Sequence, residues 1–216
     1  MLAVAAAAVA VGQPVAERGY TTSVSPRLID AYARRFGPEA RERLEAWKRD
    51  AAERKRSPAR GAALEFALLS DVNRMLNRVP FVEDSVHWRQ VDYWATPAET
   101  IGSDGADCED FSIAKYFLLK ELGVPIARLR LTYVKSLRLN QAHMVLAYYA
   151  RPDAEPLVLD NLEDAVRPAS QRQDLIPVYS FNDDEVWIEL RGRSGSPQQL
   201  RNWRALMERL DRERRT

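Results

Sequence analysis

Gly105-Ala106-Asp107-Cys108-Glu109-Asp110-Phe111-Ser112-Ile113-Ala114-Lys115-Tyr116 decides how this chain is read. It holds the only cysteine, with Asp104, Asp107, Glu109 and Asp110 crowded around it. From here Ala114, Leu118 and Leu122 recur on one side, flanked by Phe111, Ile113 and Phe117, close to the spacing of a buried helix face. Gly123 and Pro125 stop the run. Asp107 is a good N-cap residue, and Asp110 falls at the N3 position of a capping box. The spacing predicts a helix whose first turn holds Cys108. There, unpaired backbone N–H groups and the positive end of the helix dipole favour a thiolate, the nucleophilic form of cysteine. A lone cysteine is more often a small buried hydrophobe. The glycine-led approach and the acids argue against an inert position.

A thiolate needs a base, and the chain has two histidines, His87 and His143. His87 sits in a stretch without periodicity and reads as a surface loop residue. His143 opens His143-Met144-Val145-Leu146-Ala147-Tyr148-Tyr149, which alternates as a strand does. A second short strand, Leu157-Val158-Leu159, ends in Asp160-Asn161. A cysteine opening a helix, a histidine opening one strand and an aspartate closing the next can form a nucleophile, a base and a group that orients the base. Two antiparallel neighbours would bring His143 and Asp160 to the same end of a sheet.

These same residues carry a resemblance. Asp92-Tyr93-Trp94-Ala95-Thr96-Pro97-Ala98-Glu99, Gly105-Ala106-Asp107-Cys108-Glu109-Asp110-Phe111, Ala142-His143-Met144-Val145-Leu146 and Leu159-Asp160-Asn161 resemble the bacterial transglutaminase-like cysteine proteinases. The likeness runs from about Arg74 to about Trp187. Ala106 stands where that family's run has a second glycine. The resemblance implies a papain-like fold, a triad of Cys108, His143 and Asp160, and calcium held by acids beside the cysteine, chiefly Asp107 and Glu109. It further implies a periplasmic protease that cuts a double-alanine site near the N-terminus of a large secreted adhesin. A membrane-anchored cyclic-di-GMP receptor, whose periplasmic domain sequesters the protease, would be its second partner.

The acids invite a cation on their own chemistry as well. Asp104, Asp107, Glu109 and Asp110 are hard oxygen ligands of the kind calcium takes, though their spacing is not that of an EF-hand. Acids at a helix N-terminus can simply cap it and offset its dipole. One conflict favours the ion: carboxylates beside Cys108 raise its pKa, and a cation would offset them. The aromatic-rich loop before the cysteine, with Trp88, Tyr93 and Trp94, reads as a wall of a substrate cleft, Trp94 foremost.

At 216 residues and 46% hydrophobic, one domain with a proper core is expected. A net charge of +1 gives no reason to expect nucleic acid or an anionic membrane as partner. Leu2 to Val11 is an unbroken apolar run followed by small residues, the pattern of a signal peptide over 1–16 without its basic start. It is too short to span a bilayer. Helices are predicted over Pro26–Phe36, from Pro38 to about Arg56, over Ala59–Leu76 with Leu64, Leu68 and Val72 as its core stripe, and over Leu200–Arg215. Strands are predicted over Arg128–Lys135 and, as edge strands, over Tyr179–Phe181 and Val186–Ile188, with Gly192–Pro197 as a linker. The fold class is α+β: a helical lobe over 25–78, the nucleophile helix, an antiparallel sheet within a domain spanning 25–190, and a charged helix over 198–216. Two rivals share these residues: a transglutaminase or amidase-type acyl transferase using the same triad, and a binding module with a silent site.

Overall fold

The protein is described by a computed structural model over residues 24–56, 61–188 and 192–216. The apolar segment 1–16 and the expected start of the third helix lie outside these residues. Three helices lead in: α1 (Pro26–Phe36), α2 (Glu39–Arg56) and α3 (Ala62–Leu76). The Ser25 side chain caps α1 by accepting from the Leu28 N–H at 3.0 Å, and Gly37, at φ 96°, ends it. The charged run at the end of α2 is a solvated face: Ala51 alone of it is buried, and Arg54 pairs with Asp50 one turn back.

On α3 the expected stripe is turned. Leu69, Val72 and Leu76 are buried, while Leu64 is 57% exposed. The helix packs on the central helix and on the sheet through its second half, so its first turn projects past the core. Two short helices follow, α4 (Asp84–His87) and α5 (Pro97–Ser103). Helix α5 is not among the helices expected from periodicity, although Thr96-Pro97-Ala98-Glu99 spells its start. The Thr96 side chain caps the Glu99 N–H, the Glu99 carboxylate takes the Thr96 N–H, and Pro97 supplies a pre-set φ.

Helix α6 (Cys108–Glu121) is buried over every residue from Asp110 to Leu119, which makes it the axis of the fold. A helix buried all round has no solvent face to spare, so it must be wrapped, its polar residues included. One wrapping layer is an antiparallel sheet of β1 (Leu129–Ser136), β2 (Gln141–Tyr148), β3 (Leu157–Asp160), β4 (Glu163–Pro168), β5 (Leu175–Phe181), β6 (Val186–Ile188) and β7 (Gly192–Gly195), ordered β4-β3-β2-β1-β5-β6-β7. Leu129 and Leu131 on β1, with Met144 and Leu146 on β2, form the buried face toward α6. Strands β5 and β6 are interior rather than edges, β7 replaces the expected linker, and β4 was hidden in a stretch without alternation.

The last helix, α7 (Arg201–Arg215), joins the same core. Trp203 is fully buried and stacks on Phe117 of α6, with ring centroids 5.9 Å apart. Its far end is tied down where Tyr32 and Thr96 both donate to the partly buried Glu213 carboxylate. No helix among the described residues is long and apolar enough to cross a membrane.

Candidate active site

Cys108 is the first residue of α6, and the loop before it is pinned from outside. Ala106 bridges to Phe81, with the Val82 N–H on its carbonyl at 2.9 Å and its own N–H on the Pro80 carbonyl at 3.1 Å. Gly105 is required there: a Cβ would come within 2.5 Å of the His87 ring. Asp107 is the N-cap as expected, yet its side chain makes no capping bond, so the predicted box fails on that side. The helix is instead latched to the sheet by Ser112, whose hydroxyl lies 3.0 Å from the Cys108 carbonyl and 2.9 Å from that of Met144.

That latch sets Cys108 against β2 at Met144, the residue after His143. The Met144 N–H points at the sulfur, and Glu109 Oε2 lies 2.9 Å from it. His143 and Asp160 are both buried, with Nε2 2.8 Å from Oδ1. The pairing of Leu146 with Leu159 brings these strand ends together, as the sequence implied. Because Asp160 is a carboxylate, His143 Nε2 carries the proton of that bond, which leaves Nδ1 as the ring's free lone pair.

Asp160 is fixed on every side. The Leu162 N–H donates to Oδ1 at 3.1 Å, Arg172 Nη2 to Oδ2 at 2.7 Å, and Asn77 to its backbone carbonyl at 2.9 Å. Burial alone would raise this acid, but the His143 bond and charge, the Leu162 N–H and Arg172 outweigh it and hold the carboxyl at about 2. Below it lies Lys115, fully buried with no hydrogen-bond partner on its ammonium. Burial brings that amine down to about 7, while the Asp160 and Asp164 charges oppose the shift. Neither Arg172 nor Lys115 carried any motif in the sequence.

The acids gather, but not as spacing suggested. Asp84, Asp107 and Asp110 place a carboxylate oxygen each within 4.8 Å of one another, and Asp84, Asp92 and Glu109 do the same. Asp104 is not among them: it is the left-handed C-cap of α5, at φ 56°, and faces Arg43 at 3.9 Å. Asp92 opens one of the stretches that carry the resemblance but was not read as a ligand, and Asp84 lies in a segment without a periodic signal. Ala95 N–H donates to Asp110 Oδ1 at 2.6 Å and Tyr93 N–H to Asp84 Oδ2, yet one oxygen each of Asp84, Asp107 and Asp110 is buried without a partner. Burial first, then mutual repulsion, pushes Asp107 and Asp110 well above the carboxylate range. Orphaned hard oxygens in a crowded anionic pocket are what a divalent cation satisfies. Without one, burial and the neighbouring Glu109 and Asp107 charges also push the Cys108 thiol up, overriding the helix-terminus effect expected from sequence.

Trp94 is not a cleft wall. It is 6% exposed, stacks on Phe181 at 5.7 Å and belongs to the main core. The adjacent Ala95 N–H is committed to Asp110, so it is not a spare oxyanion donor. His87 is half-buried, 2.8 Å from the Ser103 hydroxyl, and burial lowers its pKa.

Comparison with known proteins places the chain in a family and a fold. The family described as bacterial transglutaminase-like cysteine proteinase matches residues 44–194. The EGTA-treated structure of LapG from Legionella pneumophila is 40% identical, with a TM-score of 0.73 over 87% of this chain and 98% of that one. The calcium-bound structure of the same protein is 41% identical, with a TM-score of 0.69 over 87% and 99%. No curated protein matches the chain.

Proposed function

This chain belongs to the bacterial transglutaminase-like cysteine proteinases, and from that premise we propose that it is a calcium-dependent endopeptidase acting through Cys108, His143 and Asp160. The observation that carries the assignment is the buried 2.8 Å bond between His143 Nε2 and Asp160 beside the only cysteine. With Nε2 engaged, Nδ1 accepts the Cys108 proton, and the sulfur attacks the scissile carbonyl carbon. The carbonyl π pair moves onto oxygen, where the unpaired N–H at the start of α6 can receive it. When the tetrahedral species collapses, the C–N bond breaks and the His143 Nδ1 proton passes to the leaving amine. Water, deprotonated by the same nitrogen, then attacks the thioester and frees the thiol. Asp160 keeps its charge throughout and holds the ring in one tautomer.

The ion enters through Asp84, Asp107, Glu109 and Asp110, with Asp92 at the margin. These residues fit a hard divalent cation, and LapG of Legionella pneumophila has been solved calcium-bound. When bound, calcium supplies positive charge beside Cys108, offsetting the acids that hold the thiol protonated. The substrate reading is a double-alanine site near the N-terminus of a large surface adhesin, cut in the periplasm to release the cell from a biofilm. The same reading gives a membrane-anchored cyclic-di-GMP receptor as the partner that withholds the protease. Its support is the family and the 40% identity to LapG.

The test is cleavage of a purified adhesin N-terminal segment in calcium and in EGTA, with products read by mass spectrometry. New peptide termini in calcium, none in EGTA, and none with folded Cys108→Ala are expected. Isopeptide crosslinks in place of termini would make the chain an acyl transferase. Cleavage by Cys108→Ala would remove the triad mechanism.

A further inference from the structure

The geometry points to Arg172 as the positioning residue of the site: its guanidinium, bound to one Asp160 oxygen, fixes the plane in which the other oxygen meets His143 Nε2. The inference rests on the triad proposed for this chain and adds a residue to it. Asp160 has two oxygens. Oδ1 meets His143 Nε2 at 2.8 Å, and Oδ2 meets Arg172 Nη2 at 2.7 Å, in a pair that is 6% and 1% exposed. The Leu162 N–H also holds Oδ1, but it is neutral; the cation on Oδ2 is what keeps the carboxylate from turning its plane away from the imidazole and keeps it charged.

Arg172 can do this because it is itself held. Asp174 takes Nε at 3.0 Å and Nη2 at 3.0 Å, and Glu163 lies 3.7 Å from Nε. Its backbone is locked by a bond from its N–H to the Ala169 carbonyl at 2.9 Å, and its carbonyl accepts from the Leu175 N–H at 3.0 Å. So the chain of contacts runs Asp174, Arg172, Asp160, His143, and it ends at the nitrogen opposite the one that takes the thiol proton. Arginine suits this position because its fork reaches two carboxylates at once and it stays charged when buried. A surface ion pair would be worth little, but a buried carboxylate left without its cation rotates or takes a proton, and either loses the imidazole.

The probe is iodoacetamide, in calcium buffer, with the rate of alkylation of Cys108 as readout. Cys108 is the sole cysteine, so the label reports one site. Melting curves establish that each variant is folded at the assay temperature. Arg172→Gln, which loses both charge and reach, is expected to slow alkylation by about tenfold or more, the order that removing the outer hydrogen-bond partner of a metal-bound histidine costs. Arg172→Lys is expected to recover most of that loss. In the Asp160→Asn background, Arg172→Gln should change the rate by less than about twofold, because two residues acting through one contact are not additive. In the imidazole proton spectrum, with two histidines to assign, the bonded Nε2–H of His143 should move in Arg172→Gln and stay in Arg172→Lys.

A wild-type rate in folded Arg172→Gln, or an equal slowing in both Asp160 backgrounds, overturns the inference and leaves the triad standing. A wild-type rate in Asp160→Asn overturns the triad reading, and this inference with it. If Arg172→Gln does not fold, Asp174→Asn releases the other end of the guanidinium, and the same loss, absent in the Asp160→Asn background, is required of it.

Discussion

Glu109 does two things at once. Its carboxylate lies 2.9 Å from the Cys108 sulfur and within the cluster formed with Asp84 and Asp92. A ligand that binds only the folded form stabilises it by about 2.7 kcal/mol at about a hundredfold its Kd. For a chain of this size that is a rise in Tm of about 5–10 °C. Glu109→Ala should lose most of this calcium-dependent rise, and Asp84→Asn should lose it too. Asp104→Asn should not, because Asp104 faces Arg43 and asparagine tolerates its left-handed backbone. Melting curves of the three variants with calcium and with EGTA decide the matter. A full calcium response in both Glu109→Ala and Asp84→Asn would leave the acids as nothing more than buried neighbours. The difference between Asp84 and Asp104 also marks what a sequence can give. Cys108 opens α6, Asp160 closes β3 and His143 lies near the start of β2, each in an element with a readable pattern, so their meeting could be foreseen. Asp104 looked close because it is close in sequence, but a left-handed turn points it elsewhere. Asp84 comes in from α4 with no periodic signal at all.

At the scale of elements, α7 shows how far amphipathicity can be trusted. The spacing of Trp203, Leu206, Met207 and Leu210 puts them on one face, and all are buried except Met207, which is partly so. That the face joins the main core rather than fraying depends on Phe117 and Phe181, which no local pattern announces. Strand β4 and helix α5 were missed for different reasons. In β4 the sequence Glu163–Pro168 offers one buried side chain, Val166, so no alternation could register. For α5 the capping box was present, and its seven residues were simply too short to show a period. Trp94 failed because an aromatic loop looks the same whether its rings face a cleft or a core. The docking of α7 has a pH signature. Burial, ahead of the Glu99 charge, raises Glu213 to about 7, although Thr96, Tyr32 and Arg209 pull the other way. An acid raised in the folded state contributes stability that is complete below its ordinary pKa and is lost as pH climbs through about 7. Wild type should therefore lose stability relative to Glu213→Gln between about pH 5 and 7, by at most about 1.4 kcal/mol per pH unit. Parallel denaturant midpoints across that window would refute it.

The whole molecule carries one more consequence, since a burst of buried acid sits at the point where α4, α5 and α6 converge. Burial first, and then neighbouring charge, raises Asp84, Asp107 and Asp110, and burial raises Glu109 as well. In the cation-free protein each of these contributes stability below the ordinary carboxylate range that is lost as pH rises through its folded value. Calcium reverses the sign. It binds the ionised oxygens, protons compete with it, and its stabilisation therefore grows with pH. The expected result is that Tm in EGTA falls from pH 5 to pH 7 while Tm in calcium holds or rises, so the gap between the curves widens with pH. Other titrating groups do not blur this. Asp160, held at about 2, is ionised throughout the window, and Glu213 and Lys115 act alike in both curves, so the difference removes them. The measurement is a pair of melting series at fixed ionic strength, with Asp107→Asn as a variant expected to narrow the gap. A gap independent of pH would mean that calcium binds somewhere other than these carboxylates, and the link between the ion and the nucleophile helix would be gone.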